Sequence, residues 1–285
     1  MRLARWGAGV LFAVGIAAGT LAPAPPPHEP VRIGEYWLLA ADFHVHGFPG
    51  DGALAPWLLR AEAARAGLDA FVLTNHNRVS TGKAARRLAE GTPGPIVIPG
   101  QEITGRGFHI AAAGLEERVD WTRGPAEAIR AVHAQGGVAI AAHPSRDFSA
   151  WDDASVALLD GHERAHPSMR RPEPGADFAA FAARAVALKP SSAPIGSSDF
   201  HSGAKPGYCR TWVLARERSA AGVLAAVRDG RTVAMDMDGR LYGKAGDVRL
   251  VSDAHVAKAV TTRPTAWARA SVAAAAFGLL LLVLL

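Results

Sequence analysis

Short apolar runs recur along this chain, each followed closely by an imidazole or a carboxylate, with segments of helical period between them. The pattern predicts strands at Tyr36–Ala41, Asp69–Thr74, Pro95–Pro99, Phe108–Ala113, Val138–Ala142, Pro194–Ser197, Thr211–Ala215 and Thr232–Met235. Ala154–Leu159 is a further short apolar run that reads as a strand. Helices are expected at Ala53–Ala66, Thr81–Glu90, Pro125–Gln135, Asp177–Leu188 and Ser219–Asp229. Gly67 and Gly91 close the first two, and Pro125 suits a first helical turn. Strands alternating with helices imply an α/β domain with a parallel sheet covered by helices. So many strands in one short domain favour a closed or nearly closed barrel over an open sheet. Barrels place their sites at the C-terminal ends of their strands.

The pattern changes at both ends. Met1–Arg5 carries two arginines and Trp6–Ala22 no charge, so residues 1–22 are expected to be a signal peptide or signal anchor. Residues 23–35 read as a proline-rich stalk. A folded domain over 36–251 and a linker over 252–269 follow. Residues 270–285 are apolar apart from Ser271 and are expected to be a second membrane segment, marginal in length. Arg2 and Arg5 favour export of the domain, whereas Arg263 and Arg269 favour the cytoplasmic side. The first segment usually dominates, so the expectation is a membrane-anchored domain on the periplasmic or extracellular side.

Net charge is +5, which by itself suggests a nucleic-acid partner. Its location removes the suggestion, because Arg2, Arg5, Lys258, Arg263 and Arg269 lie in flanks without acidic residues. The remaining chain is balanced and lacks the broad basic footprint of a duplex-binding domain. Cys209 is the only cysteine, which excludes an intrachain disulfide and a thiolate cage for a metal.

The candidate chemistry lies in nine residues at the ends of the apolar runs: His44, His46, Asp51, His76, Glu102, His109, His143, Asp199 and His201. On a strand, the spacing of His44-Val45-His46 points both imidazoles to one side, where they can share an ion. Asp199-Phe200-His201 repeats that spacing with an acid and an imidazole. Imidazole and carboxylate together suit zinc, manganese or iron. The reading is a metal-dependent hydrolase.

The order of these pieces resembles the PHP superfamily, named for polymerase and histidinol phosphatase. The matching segments are Asp42-Phe43-His44-Val45-His46 with Asp51-Gly52, Ala66–Asn77, Pro99–Ile103, Ala142-His143-Pro144 and Ser197–His201. The continuation through Arg210–Val213 and Val227–Thr232 is similar to the carbaryl-hydrolase-type branch. The resemblance implies a distorted (β/α)7 barrel holding two to three divalent ions. His44, His46, Glu102 and Asp199 would hold the first ion. Glu102 would bridge to a second with His109 and His143, while Asp51, His76 and His201 would hold a third. Glu102, Asp199 and His201 would be catalytic, through a metal-bridging hydroxide acting on a small phosphate ester. Hydrolysis of a carbamate, amide or carboxylic ester, or a non-catalytic metal-binding envelope protein, are the alternatives.

One departure stands out, since Thr74-Asn75-His76 occupies a place where the family usually has Thr-Asp-His. If Asn75 supports a ligand, loss of the negative charge would weaken the site by up to about 100-fold. Arg146, Lys205 and Arg210 are the candidates for holding an anionic substrate. His162 and Glu163 are weaker candidates to face the site. His166 is assigned to a surface loop, His133 and His255 to ordinary roles and His28 to the stalk.

Overall fold

The computed structural model describes residues 2–20, 29–144, 149–170, 177–254 and 266–284. Two compact units result, one combining Met1–Pro25 with Thr261–Leu285 and the other comprising Pro26–Val260. Arg146, His28 and His255 lie outside the described residues.

In the terminal unit, helix α1 (Arg2–Thr20) packs antiparallel on the last helix of the chain, α9 (Ala266–Leu284). The helices approach closely at two glycines. A Cβ on Gly15 would stand 2.5 Å from the Ala275 nitrogen, and one on Gly278 would stand 2.5 Å from the Phe12 nitrogen. Leu3, Trp6, Val10, Val14, Phe277, Leu280 and Val283 point outward and are exposed. Among the described residues no helix is long and apolar enough to cross a membrane, so the two expected spans are not supported as spans.

The main unit is built on one mixed sheet. Its strands are β1 (Val31–Ile33), β2 (Tyr36–Val45), β3 (Ala70–Leu73), β4 (Ile96–Gly105), β5 (Phe108–Ala113), β6 (Val138–Ala141), β7 (Gly161–Ala165), β8 (Ala193–Gly196), β9 (Arg210–Ala215), β10 (Thr232–Met235) and β11 (Leu241–Tyr242). Helices α2 (Pro56–Arg65), α3 (Ser80–Ala89), α4 (Pro125–Ala134), α5 (Asp153–Leu158), α6 (Phe178–Leu188), α7 (Ala220–Arg228) and α8 (Ala245–Asp253) connect or follow them. Val31–Ile33, at the end of the expected stalk, pairs antiparallel with β2. Ala154–Leu159 is mostly helical rather than a strand: Asp152 caps α5 by accepting from the Ser155 N–H at 2.8 Å, and the strand begins after it at Gly161.

The sheet runs β11-β10-β9-β2-β3-β4-β5-β6-β7-β8. The expected all-parallel arrangement is therefore wrong in part. Strands β4 and β5 are joined only through Arg106 and Gly107, too short a link for a crossover, so they pair antiparallel, as do β5 with β6 and β9 with β2. The barrel is nearly closed where β8 meets β9 and β10. Gly196 N–H donates to Thr211 Oγ1 at 3.0 Å, and the Thr232 hydroxyl donates to Pro194 O at 3.0 Å.

Leu39, Ala41, Phe43, Val72, Ile98, Ala111, Ile140, Ile195 and Val213 fill the barrel, and Val223, Leu224, Ala226 and Val227 of α7 join the same cluster. Ala113 and Val138, where α7 packs, are at the ends of their strands remote from the candidate ligands. Thus α7 plugs one end with apolar surface, and the other is left for polar side chains. Leu38, Ala40, Phe71, Trp212 and Leu214 alternate with the interior residues and belong to a separate outer cluster.

Candidate metal centre

The first two histidines reach the barrel interior through an irregularity in β2. Leu39, Ala41 and Phe43 face inward, so strict alternation would send His44 out. Between β2 and β3, however, Asp42 pairs with Phe71 and Val45 with Leu73, giving β2 one extra residue. This bulge changes the phase: Val45 joins the outer cluster, and His44 and His46 turn inward. Asp42 holds the bulge in place. Its carboxylate accepts from the Ser198 hydroxyl at 2.5 Å, from the backbone N–H groups of Ser198 and Gly207 at 3.1 and 2.6 Å, and from His44 N–H at 3.2 Å.

Asp199 and His143 are aimed by unusual backbone instead. Asp199 has φ of 47° and His143 of 25°, a region that costs a non-glycine residue about 1 kcal/mol or more. Gly52 and Gly196 let neighbouring backbone approach. A Cβ on Gly52 would lie 2.2 Å from His46 O, and one on Gly196 would lie 2.2 Å from Arg210 O.

All nine candidate ligands converge at this end of the barrel. His44 Nε2 and His46 Nε2 each lie 3.3 Å from Glu102 Oε2 and 3.3 Å from Asp199 Oδ1. These four atoms are buried, and none makes a properly directed hydrogen bond. Buried polar atoms are nearly always satisfied, so four orphans facing one point fit a cation at that point. Glu102 Oε1 meets His109 Nδ1 at 2.7 Å and His143 Nε2 at 3.1 Å. Nearer the mouth, Asp51 Oδ2 meets His201 Nε2 at 3.0 Å and His76 Nε2 at 3.2 Å. Ligand atoms of His44, His46 and Glu102, of Glu102, His109 and His143, and of His46, Asp51, His76 and His201 form groups compact enough to hold an ion each. Exposure rises along this series, from a fully buried His44 to 43% for Asp51. The first group is a floor and the last a rim.

The charges are arranged for a cation. Burial is the largest influence on Glu102 and Asp199 and opposes their ionisation. His44 and the other nearby imidazoles outweigh it and hold both carboxylates well below the usual range. Burial likewise opposes charging of His44 and His46, but the surrounding carboxylates raise both, His46 to about 9. The carboxylates thus favour positive charge on His44 and His46. An ion held by these two rings would take the place of that charge.

Several side chains lie elsewhere than their sequence positions suggested. Arg210 is on the outer face of β9, beside Trp212, and its guanidinium donates to Gly207 O at 3.0 Å and Ala66 O at 2.8 Å. It braces the outside of the barrel and does not enter the site. Lys205 lies half-buried in the loop after His201. Glu163 faces inward, fully buried, accepting from His44 Nδ1 at 2.9 Å and His143 N–H at 2.5 Å. His162, next to it on β7, faces outward and contacts Ser192 Oγ at 2.9 Å. His166, assigned to a surface loop, is buried with Nε2 3.5 Å from Asp199 Oδ2. Hydrophobic runs carry no signal of such partnerships, although Glu163 was detectable as a charge next to an apolar segment.

The Asn75 side chain bonds to backbone and to the Thr81 hydroxyl, and not to a candidate ligand side chain. Its Nδ2 donates to Gly47 O at 2.8 Å and Pro49 O at 3.0 Å, and its Oδ1 accepts Gly47 N–H at 2.8 Å. These bonds clamp the loop that delivers Asp51. The carboxamide suits this place, because an ionised aspartate has no proton for the two carbonyls.

No family model matches the chain. It is 31% identical over 112 residues to uncharacterized protein MJ1587 of Methanocaldococcus jannaschii, a match covering 39% of this chain. The match spans 60% of that relative's length. Among solved structures, it is similar to a two-domain protein containing a predicted PHP-like metal-dependent phosphoesterase from Bacteroides vulgatus. The TM-score is 0.63 and identity 26%, over 81% of this chain and 74% of that one. PsfC from Pseudomonas syringae PB-5123 shares the fold at TM-score 0.50 and 18% identity, over 77% of this chain and 97% of that one. The first likeness supports the PHP superfamily and, with the clustered His, Asp and Glu side chains, a hydrolase of the metal-dependent kind.

Proposed function

We propose that this chain is a metal-dependent phosphoesterase with a trinuclear site, acting on a small phosphate ester. The observation that carries the reading is the convergence of His44 Nε2, His46 Nε2, Glu102 Oε2 and Asp199 Oδ1, buried, mutually close and without hydrogen bonds. His44, His46, Glu102 and Asp199 would hold one ion, and Glu102, His109 and His143 a second. Asp51, His76 and His201 would hold a third at the rim. Divalent zinc, manganese or iron suits these donors; when bound, such ions supply Lewis acidity toward a phosphoryl oxygen and a more acidic water.

The protein's part is positioning. Glu102 offers one carboxylate oxygen to the floor group and the other to His109 and His143. The Glu163 carboxylate can only accept, so His44 keeps its proton on Nδ1 and turns the Nε2 lone pair inward. Apolar packing of α7 below excludes water from the floor. The exposed rim of Asp51, His76 and His201 is where a substrate oxygen arrives, and Lys205 in the adjoining loop is the candidate for contact with its charge.

A screen of the manganese- or zinc-loaded protein against p-nitrophenyl phosphate and its diester tests the proposal. Turnover of phosphate esters, abolished by Glu102→Gln, is expected. Activity confined to carboxylic esters or carbamates would overturn the phosphoesterase reading, and fewer than two tightly held ions would overturn the hydrolase reading.

We also propose that the terminal helix pair rests on a lipid surface and that the main unit is exported. Support comes from its outward apolar side chains, with Trp6 75% exposed, and from Arg2 and Arg5 in the first turn of α1. Carbonate extraction and reporter fusions test this; release of the full chain in soluble form would reject it.

A further inference from the structure

His166 directly follows β7 and is 6% exposed. Its ring lies parallel to Phe178 at 5.8 Å between centroids, and the His143 ring is 5.5 Å away. Its Nδ1 receives the backbone N–H of Ser168 at 3.2 Å, with Ser168 Oγ at 2.7 Å. A backbone N–H can only donate, so Nδ1 is the acceptor nitrogen and the ring proton sits on Nε2. That nitrogen is buried without a well-formed hydrogen bond, 3.5 Å from Asp199 Oδ2 and 4.0 Å from Glu163 Oε2. Asp199 Oδ1 points the other way, at His44 and His46.

We infer that His166 is a positioning residue for the metal centre, its Nε2–H holding Asp199 Oδ2 so that Oδ1 is presented to the floor ion. The inference rests on the proposed metal site. The need for such a hold follows from Asp199 itself, whose positive φ leaves it on strained backbone. The side chain is 22% exposed, so without a partner on Oδ2 it has room to turn away. Phe178 keeps the imidazole plane fixed, and Ser168 fixes its tautomer, so the donor is preorganised before any ion binds. The arrangement complements Glu163, which acts on His44 in the same floor group from the accepting side.

The test compares wild type with His166→Phe and His166→Gln, each as the full chain. Phenylalanine keeps the stack on Phe178 but has no donor; the glutamine amide can place an N–H near the position of Nε2. Metal-free unfolding and circular dichroism establish that each variant folds, and zinc and manganese affinities are then measured by competition with a chelator. Wild type retaining at least two ions supports the metal site itself, independently of His166. The expected result is a 10- to 100-fold loss of affinity for the tightest ion in His166→Phe, largely restored in His166→Gln. Wild-type affinity in a folded His166→Phe protein would overturn the inference, as would a glutamine variant no better than phenylalanine. A wild type that binds no ion would instead defeat the site on which the inference rests.

Discussion

Glu163, with no exposed side-chain surface, accepts a 2.9 Å hydrogen bond from His44 Nδ1, 119 residues away in sequence. The same carboxylate receives the backbone N–H of His143, so one acid sets the direction of two candidate ligands. In Glu163→Gln the amide can serve only one of these donors as an acceptor. Affinity for the floor ion should fall about 10- to 100-fold. Chelator competition measures it, and unchanged affinity would show that His44 needs no such orientation.

Proton balance gives a second expectation. His46 is raised to about 9 in the ion-free protein, because Asp199 and Glu102 outweigh the opposing effect of burial, the largest single influence. A histidine raised on folding adds stability that is complete below the unfolded value near 6.5 and lost as pH rises through about 9. Ion binding requires the neutral ring, so ion affinity should change in the opposite sense, rising over the same window. Calorimetry in buffers of different ionisation enthalpy should detect proton release on zinc binding at pH 7. Absence of proton release would contradict the assignment of His46 as a ligand.

His162, on the outer side of β7, supplies a pH effect outside the candidate metal centre. Burial, followed by the charge of Arg164, lowers it to about 4. Between about 4 and 6.5 the unfolded chain binds the extra proton, so stability is full above 6.5 and declines as pH falls through that window. The difference corresponds to roughly 3 kcal/mol. Urea denaturation of wild type and His162→Gln at pH 7 and pH 4.5 should show a smaller acid loss in the variant.

Asn75→Asp should be harmful even though it adds a carboxylate beside His76, a candidate ligand. It would face the carbonyls of Gly47 and Pro49, at 2.8 and 3.0 Å in the present structure, with oxygen instead of N–H. The cost is about 2 kcal/mol or more, and the Asp51 loop should loosen. Denaturant midpoints together with ion stoichiometry measure this. Equal stability and stoichiometry would mean that the clamp is dispensable.

Arg210 gives the opposite test, of a residue that looked functional in the sequence. Burial is the main influence lowering its pKa to about 10, and its guanidinium is tied to Gly207 O and Ala66 O. Arg210→Met should lose about 3 kcal/mol of stability and leave KM for a phosphate ester unchanged. A large rise in KM with normal stability would return Arg210 to the substrate site.

The sequence by itself determined the candidate ligand residues, their positions at strand ends and most of the elements, because apolar alternation and residue chemistry are local properties. Phe108–Ala113 and Thr232–Met235 match the expected strands to the residue. Tertiary structure decided where those side chains point. His44 and His46 turn inward only because pairing with β3 accommodates an extra residue in β2, and Arg210 falls outside because of its phase on β9. His166 and Glu163 meet residues far away in sequence, and Asn75 binds backbone carbonyls, contacts that exist only once the strands have paired. Strand register and long-range hydrogen bonding are set jointly by partners distant in the chain, so no single segment encodes them.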